Sequence, residues 1–246
     1  MLVRRGLAET RERAQLLILD GAVRVDDAPA TRPAQAVNTD ARIELRDEGP
    51  SYVSRGALKL QAALDQWHID PTGRTVIDIG ASTGGFTDLL LQRGARRVYA
   101  VDVGYGQLHY RLRTDPRVVL MERTNARYLT ALPEAPDLAV CDVSFISLKL
   151  VLPPVFSLLN PQATVVALIK PQFEAGRGQV GKGGVVRDPA VHAQTVTAVR
   201  EWSTTQPWRI QDVIASPIKG PAGNVEFLSL WRRHNQADGA SPAVDS

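Results

Sequence analysis

The chain has 246 residues, 44% of them hydrophobic, which is enough to build one large domain and a small one. Its single cysteine, Cys141, excludes an intramolecular disulfide and suits a reducing compartment. The formal charge of +3 is a mild bias toward anionic partners, and no apolar run approaches the ~20 residues that cross a bilayer; with no charged-then-apolar leader at its start, the chain is expected to be cytoplasmic and not membrane-bound.

The first predicted helix covers Arg11–Leu19, with Thr10 as its N-cap, Gly21 past its end, and Ala14, Leu17 and Ile18 on one apolar face. Ala22–Val25 alternates like a strand, Asp26–Pro29 turns the chain, and Ala41–Leu45 alternates again. A small α+β domain is therefore expected over residues 1–48. Asp47-Glu-Gly-Pro50 marks a boundary, with residues 49–58 as a linker and a helix from about Ser54 to Trp67.

From Arg74 the pattern changes. Strands are predicted at Thr75–Ile79, Arg97–Asp102, Val118–Met121, Leu138–Asp142 and Thr164–Lys170, with helical stretches between them, the first at Phe86–Arg93. Such alternation implies an α/β domain, a mostly parallel Rossmann-like sheet covered by helices, over residues 59–234. Ile210–Ala215 and Val225–Trp231 are expected to close it as a pair, and the polar tail 235–246 is expected to be disordered.

The segment Asp78-Ile-Gly80-Ala-Ser-Thr-Gly84-Gly85-Phe86 follows a strand and opens a helix. Glycines there admit close backbone approach of a ligand. Its spacing departs from the G-x-G-x-x-G of dinucleotide sites, and it begins with an acid inside the strand. A carboxylate there would repel a pyrophosphate but attract a cationic sulfonium ligand. Asp102, at the end of the next strand, is placed to accept the hydroxyls of a ribose. A second glycine segment, Gly176–Lys182, fits G-x-x-x-x-G-K, but residue 183 is Gly where a P-loop needs Ser or Thr, and no helix pattern follows. It is read as a basic, substrate-facing loop. The four histidines are dispersed, and no metal site is expected.

Four polar residues fall where elements end: Lys59 in Ser-Arg-Gly-Ala-Leu-Lys59-Leu, Asp142 in Cys-Asp142-Val-Ser-Phe, Lys170 in Leu-Ile-Lys170-Pro-Gln, and Glu226 in Gly-Asn-Val-Glu226-Phe. With the loop at Asp78, they make the chain, over roughly residues 4–232, resemble the TlyA family, often labelled hemolysin A. That resemblance implies a class I, FtsJ-like methyltransferase domain behind a small S4-like RNA-binding domain. It also implies S-adenosylmethionine as cofactor, ribosomal RNA or a ribosomal subunit as partner, and methylation of a ribose 2′-hydroxyl, of cytidine.

The resemblance carries a lysine–aspartate–lysine–glutamate tetrad onto Lys59, Asp142, Lys170 and Glu226. Lys170 would be central, favouring the alkoxide or accepting its proton, with Lys59 as electrostatic neighbour and the two acids orienting. Expected cofactor contacts are Asp78, Gly80, Ser82, Thr83, Gly84, Gly85, Phe86, Asp102 and Asn125. Expected RNA contacts are Arg4, Arg5, Arg11, Arg13, Arg55, Arg177 and Lys182. Two other readings compete: an RNA-binding ribosome-assembly factor without catalysis, and a membrane-damaging hemolysin. The intact tetrad disfavours both.

Overall fold

The computed structural model describes residues 1–8, 10–19, 23–30, 32–45, 52–220 and 222–234, and only the backbone of residues 12, 13, 16, 19 and 177. Gly21, most of the expected boundary segment and the polar tail lie outside the described residues. The chain forms two compact units, Met1–Arg55 and Gly56–Ser246.

In the first unit a 3-10 turn at Val3–Arg5 precedes helix α1 (Arg11–Leu19) and strands β1 (Val23–Val25), β2 (Ala28–Pro29) and β3 (Ile43–Leu45), with β1 central. The expected four-residue turn is in fact two residues long. Asp26 and Asp27 stand at φ +47° and +64°, and Ala28 already pairs with Val25. Two left-handed residues match the twist of a tight hairpin, and aspartate tolerates that region. Leu2, Ala8, Ala14, Val23 and Ala30 form a small core against Leu17, Ile18 and Ile43.

The second unit opens with helix α2 (Ala57–Gln66), three residues later than the sequence suggests, because Ser54–Gly56 turn rather than wind. Then follow β4 (Thr75–Ile79), α3 (Gly85–Gln92), β5 (Arg97–Val101), α4 (Tyr110–Arg113), β6 (Val118–Met121), β7 (Leu138–Cys141), α5 (Leu148–Phe156), β8 (Thr164–Ile169), α6 (Pro171–Glu174), α7 (Pro189–Ser203), β9 (Trp208–Ala215) and β10 (Phe227–Arg233). The sheet order is β6-β5-β4-β7-β8-β10-β9. The first five of these strands are parallel, and β10 runs antiparallel to both neighbours. This is the mostly parallel, Rossmann-like architecture that the alternation predicts.

Strands β4 and β8 are buried at every position, as the largely apolar central strands of a sheet covered on both faces should be. The chain winds outward from β4 to β5 and β6, then returns to β7 on the other side of β4. The carboxyl ends of β4 and β7 therefore flank the switch point where doubly wound sheets hold their ligands. Asp142 and Lys170 lie one residue past β7 and β8 rather than on them. Strand β10 starts at Phe227, so Glu226 sits in the loop just before it.

Candidate active site

At the switch point the chain ends approach too closely for side chains. Gly80 stands at φ +82°, and a Cβ on it would lie 2.7 Å from the Asp142 carbonyl oxygen. Gly84 stands at φ +98°, where a Cβ would meet Leu112 Cδ1 at 2.3 Å. Both conditions leave only glycine. Ser82 and Thr83 are exposed between them. Asp102 supports the loop: its Oδ2 accepts from Ser82 N at 2.8 Å and its Oδ1 from Gly104 N at 2.7 Å. Each oxygen keeps a lone pair for a hydroxyl donor. A small pocket lies here, lined by Ser82, Asp102, Gly104, Gln107, Leu108 and Glu122 among others.

Asp78 stands inside strand β4, as its place in the sequence pattern implies. It is fully buried beneath the loop, where Thr87 Oγ1 donates to Oδ2 at 2.7 Å and Oδ1 has no hydrogen-bond partner. Burial pushes its carboxyl up to about 7, against the opposing hydrogen bond from Thr87. Gly85 and Phe86 are buried as the first turn of α3, so neither faces the opening. Asn125 caps the turn Ala126–Tyr128 by accepting from Arg127 N at 3.1 Å.

The four tetrad candidates come together as an alternating chain of charges. Lys170 Nζ lies 2.6 Å from Asp142 Oδ1, Asp142 Oδ2 lies 3.4 Å from Lys59 Nζ, and Lys59 Nζ lies 2.7 Å from Glu226 Oε2. Both lysines and Glu226 are buried. Buried charges of this kind persist only when paired, and here each cation has an acid beside it. Lys59 is shared by two acids, whereas Lys170 ion-pairs with one and also donates to Ser144 Oγ at 3.0 Å. Ser144 is exposed, which puts Lys170 at the open end of the chain of charges.

Several residues that sequence reasoning missed belong to this site. Gln172 Nε2 donates to Glu226 Oε1 at 3.3 Å, and Glu174 accepts from Ser147 Oγ at 2.7 Å and from Leu148 N at 2.6 Å. Glu174 thus joins α6 to the start of α5, fixing the loop that holds Asp142 and Ser144. Its burial raises its carboxyl above the ordinary range. Phe145, at φ +64°, is 91% exposed, with its ring 5.0 Å from that of Phe173. The pairing of Lys170 with Pro171 at a strand–helix junction was a legible signal for this region; the partners of Glu174 were not.

The expected RNA contacts are divided between the two units. Arg4 and Arg11 are exposed and line an apolar cavity in the first unit, which contains no tetrad candidate. Arg5 is committed to its own unit, donating to the carbonyls of Ala41 (2.7 Å) and Thr39. Arg55, which ends the first unit, and Lys182, at the tip of a turn in the second, are exposed. The side chains of Arg13 and Arg177 lie outside the described residues. No helix follows Lys182 before α7, as the missing P-loop serine implies. Among the described residues no three His, Cys, Asp or Glu side chains converge on a metal-sized site, and no helix is long and apolar enough to cross a membrane.

Comparison with known proteins gives the family. The FtsJ-like methyltransferase model matches residues 52–233, and the S4 domain model matches residues 1–43. The chain is 53% identical to the 16S/23S rRNA (cytidine-2′-O)-methyltransferase TlyA of Mycobacterium tuberculosis, over 98% of this chain and 91% of that protein. It is 41% identical to the hemolysin A of Brachyspira hyodysenteriae, over 91% of this chain and 94% of that protein. A solved Streptococcus thermophilus structure, described as a hemolysin, superposes with a TM-score of 0.77 at 41% identity, covering 95% of this chain and 86% of that one.

Proposed function

Because the chain belongs to the TlyA family of FtsJ-like methyltransferases, we propose that it methylates the ribose 2′-hydroxyl of a cytidine in ribosomal RNA, with S-adenosylmethionine as methyl donor. The observation that supports this reading best is the alternating chain Lys170–Asp142–Lys59–Glu226 beside the glycine loop. A ribose hydroxyl is a poor nucleophile, so the protein's task is to manage its proton and the charge left behind.

The glycine loop suits the cofactor. Gly80 and Gly84 leave the backbone bare, Asp102 offers carboxylate oxygens for ribose hydroxyls, and the unpartnered buried Oδ1 of Asp78 favours a cation above it. When bound, S-adenosylmethionine supplies an electrophilic methyl group on a positively charged sulfur. Lys170 Nζ meets the attacking hydroxyl at the open end of the charge chain, favouring the oxyanion or taking its proton. Asp142 holds Lys170 in place, and Lys59, itself held by Glu226, sets the field around Asp142. The reaction forms a bond from the 2′-oxygen to the methyl carbon and breaks the carbon–sulfur bond; the hydroxyl proton goes to Lys170 where its amine is neutral, and to solvent where Lys170 stands as the ammonium that stabilises the oxyanion.

The S4 match over residues 1–43 supports a separate RNA grip, in which Arg4 and Arg11 meet phosphates. The test is methyl transfer by purified protein to isolated small and large ribosomal subunits from a strain lacking the gene, with 2′-O-methyl mapping. A modified cytidine on either subunit supports the reading, and none on both overturns it.

A further inference from the structure

The turn that carries Lys182 is held by a single buried side chain. Gly181 and Val185 form an antiparallel bridge, with Gly183 and Gly184 between them at φ +79° and +73°. Asn224, only 2% exposed, grips this turn twice. Its Nδ2 donates to Gly184 O at 3.0 Å, and its Oδ1 accepts from Val186 N at 2.9 Å. A carboxamide presents one donor and one acceptor side by side, which is what a neighbouring carbonyl and N–H require. The carbonyl of Val186 is engaged as well, 2.9 Å from His192 Nε2 on α7.

Asn224 also belongs to the turn that seats Glu226. Its carbonyl accepts from Gly220 N at 2.9 Å, and Ser216 N donates to the Glu226 carbonyl at 2.9 Å. Gly220 packs so closely on the Glu226 carboxylate that a Cβ would lie 2.4 Å from Oε1. Glu226 then holds Lys59 at 2.7 Å. One short loop therefore fixes both the basic turn and the inner end of the charge chain.

We infer that Asn224 is a positioning residue coupling the Gly181–Val185 turn, as a surface that meets RNA phosphate, to Glu226 and through it to Lys59. This rests on the function proposed above. Placing the turn correctly then places Glu226, so engagement of RNA by Lys182 and assembly of the charge chain depend on the same two hydrogen bonds.

A double-mutant cycle tests the coupling. Asn224→Ala removes both bonds, and Asn224→Asp keeps the acceptor for Val186 but sets a carboxylate against the Gly184 carbonyl. Losing one buried hydrogen bond corresponds to about tenfold, so Asn224→Asp should show roughly tenfold higher KM for RNA and Asn224→Ala, which loses two, a larger rise, each with a lower kcat and unchanged affinity for S-adenosylhomocysteine. Lys182→Gln should weaken RNA binding in the wild-type background and have little further effect beside Asn224→Ala. Additive effects, or a loss confined to cofactor affinity, would overturn the coupling. Hydrogen exchange reads the latch without activity. The Val186 amide should be protected in the wild type and lose protection in Asn224→Ala, while β4 and β5 amides keep theirs. A Val186 amide that exchanges like a free loop amide in the wild type overturns the proposal even if the variants fail to fold. Protected Val186 in a protein that methylates neither subunit would sink the proposed substrate and leave the latch standing.

Discussion

The carboxylate of Asp142 holds the ammonium of Lys170 at 2.6 Å, and each residue lies one position beyond the end of its own parallel strand, on neighbours β7 and β8. The pair is thus built on the least deformable part of the domain. Lys170→Ala should lower single-turnover methyl transfer by about 10²–10⁴-fold while fold and cofactor binding persist. Lys170→Arg should fail to restore it if Lys170 takes the proton, because guanidinium stays charged. Near-native turnover by the arginine variant would instead assign Lys170 a purely electrostatic role. Full activity of Lys170→Ala would remove it from the chemistry.

Asp78 predicts a pH dependence. Its folded carboxyl sits at about 7, against an ordinary value of 3.8. The folded state therefore binds the proton more tightly. The associated stability is fully present below the ordinary value and lost as pH rises through about 7. Denaturant unfolding between pH 5 and 8, roughly bracketing that range, should show a fall in stability that Asp78→Asn abolishes. A cationic ligand above Asp78 favours its ionised form, so cofactor binding should tighten with rising pH and release protons near neutrality. Calorimetry in buffers of different ionisation enthalpy reads that proton; proton-free binding at pH 6.5 to 7 would mean that the ligand's charge lies elsewhere.

Gly80 and Gly84 should respond differently to alanine. At Gly80 the obstacle is the Asp142 backbone, which cannot rotate away; at Gly84 it is the ends of the Leu112 and Leu108 side chains, which can. Both carry the left-handed backbone cost of about 1–2 kcal/mol. Gly80→Ala should therefore lose more thermal stability and more S-adenosylhomocysteine affinity than Gly84→Ala. Equal losses would mean that backbone conformation alone decides.

Phe145 combines strain with exposure, a left-handed backbone under a bulky ring that faces solvent. The Phe173 ring lies 5.0 Å away, and the exposed face of Phe145 remains open, where base stacking on an aromatic is worth about 1–3 kcal/mol. Phe145→Gly should leave the melting temperature unchanged or raise it, yet raise KM for RNA several-fold. A variant that lost stability and kept its KM would make Phe145 a structural residue.

Much of this was legible beforehand because apolar strands end abruptly. Where Leu138–Cys141 and Thr164–Ile169 stop, Asp142 and Lys170 are the next residues, so the edge of the hydrophobic pattern marked the chemistry. The enclosure of Asp78 was legible too: Thr75–Ile79 is apolar on both faces, and a central strand of that kind buries whatever acid it contains. Asn224 and Glu174 were not legible. Their partners lie 38 and 26 residues away, and nothing local distinguishes them from loop or surface residues. The outward turn of Phe145 was hidden for another reason. In Val-Ser-Phe-Ile a phenylalanine reads as core, and only its backbone angle reverses that.

The sheet order also constrains how the protein comes into being. Strand β10, last in chain order among the described strands, lies between β8 and β9, so β9 joins that sheet only when β10 slides in beside it. The same strand brings Glu226 to Lys59, which was made 167 residues earlier. Contacts of such long range are slow to form, because the intervening chain must first surrender its freedom. A nascent chain on the ribosome therefore holds Lys59 with Asp142 as its one acid of the charge chain until β10 has emerged, and premature termination before Phe227 should yield proteolytic fragments rather than partial enzymes.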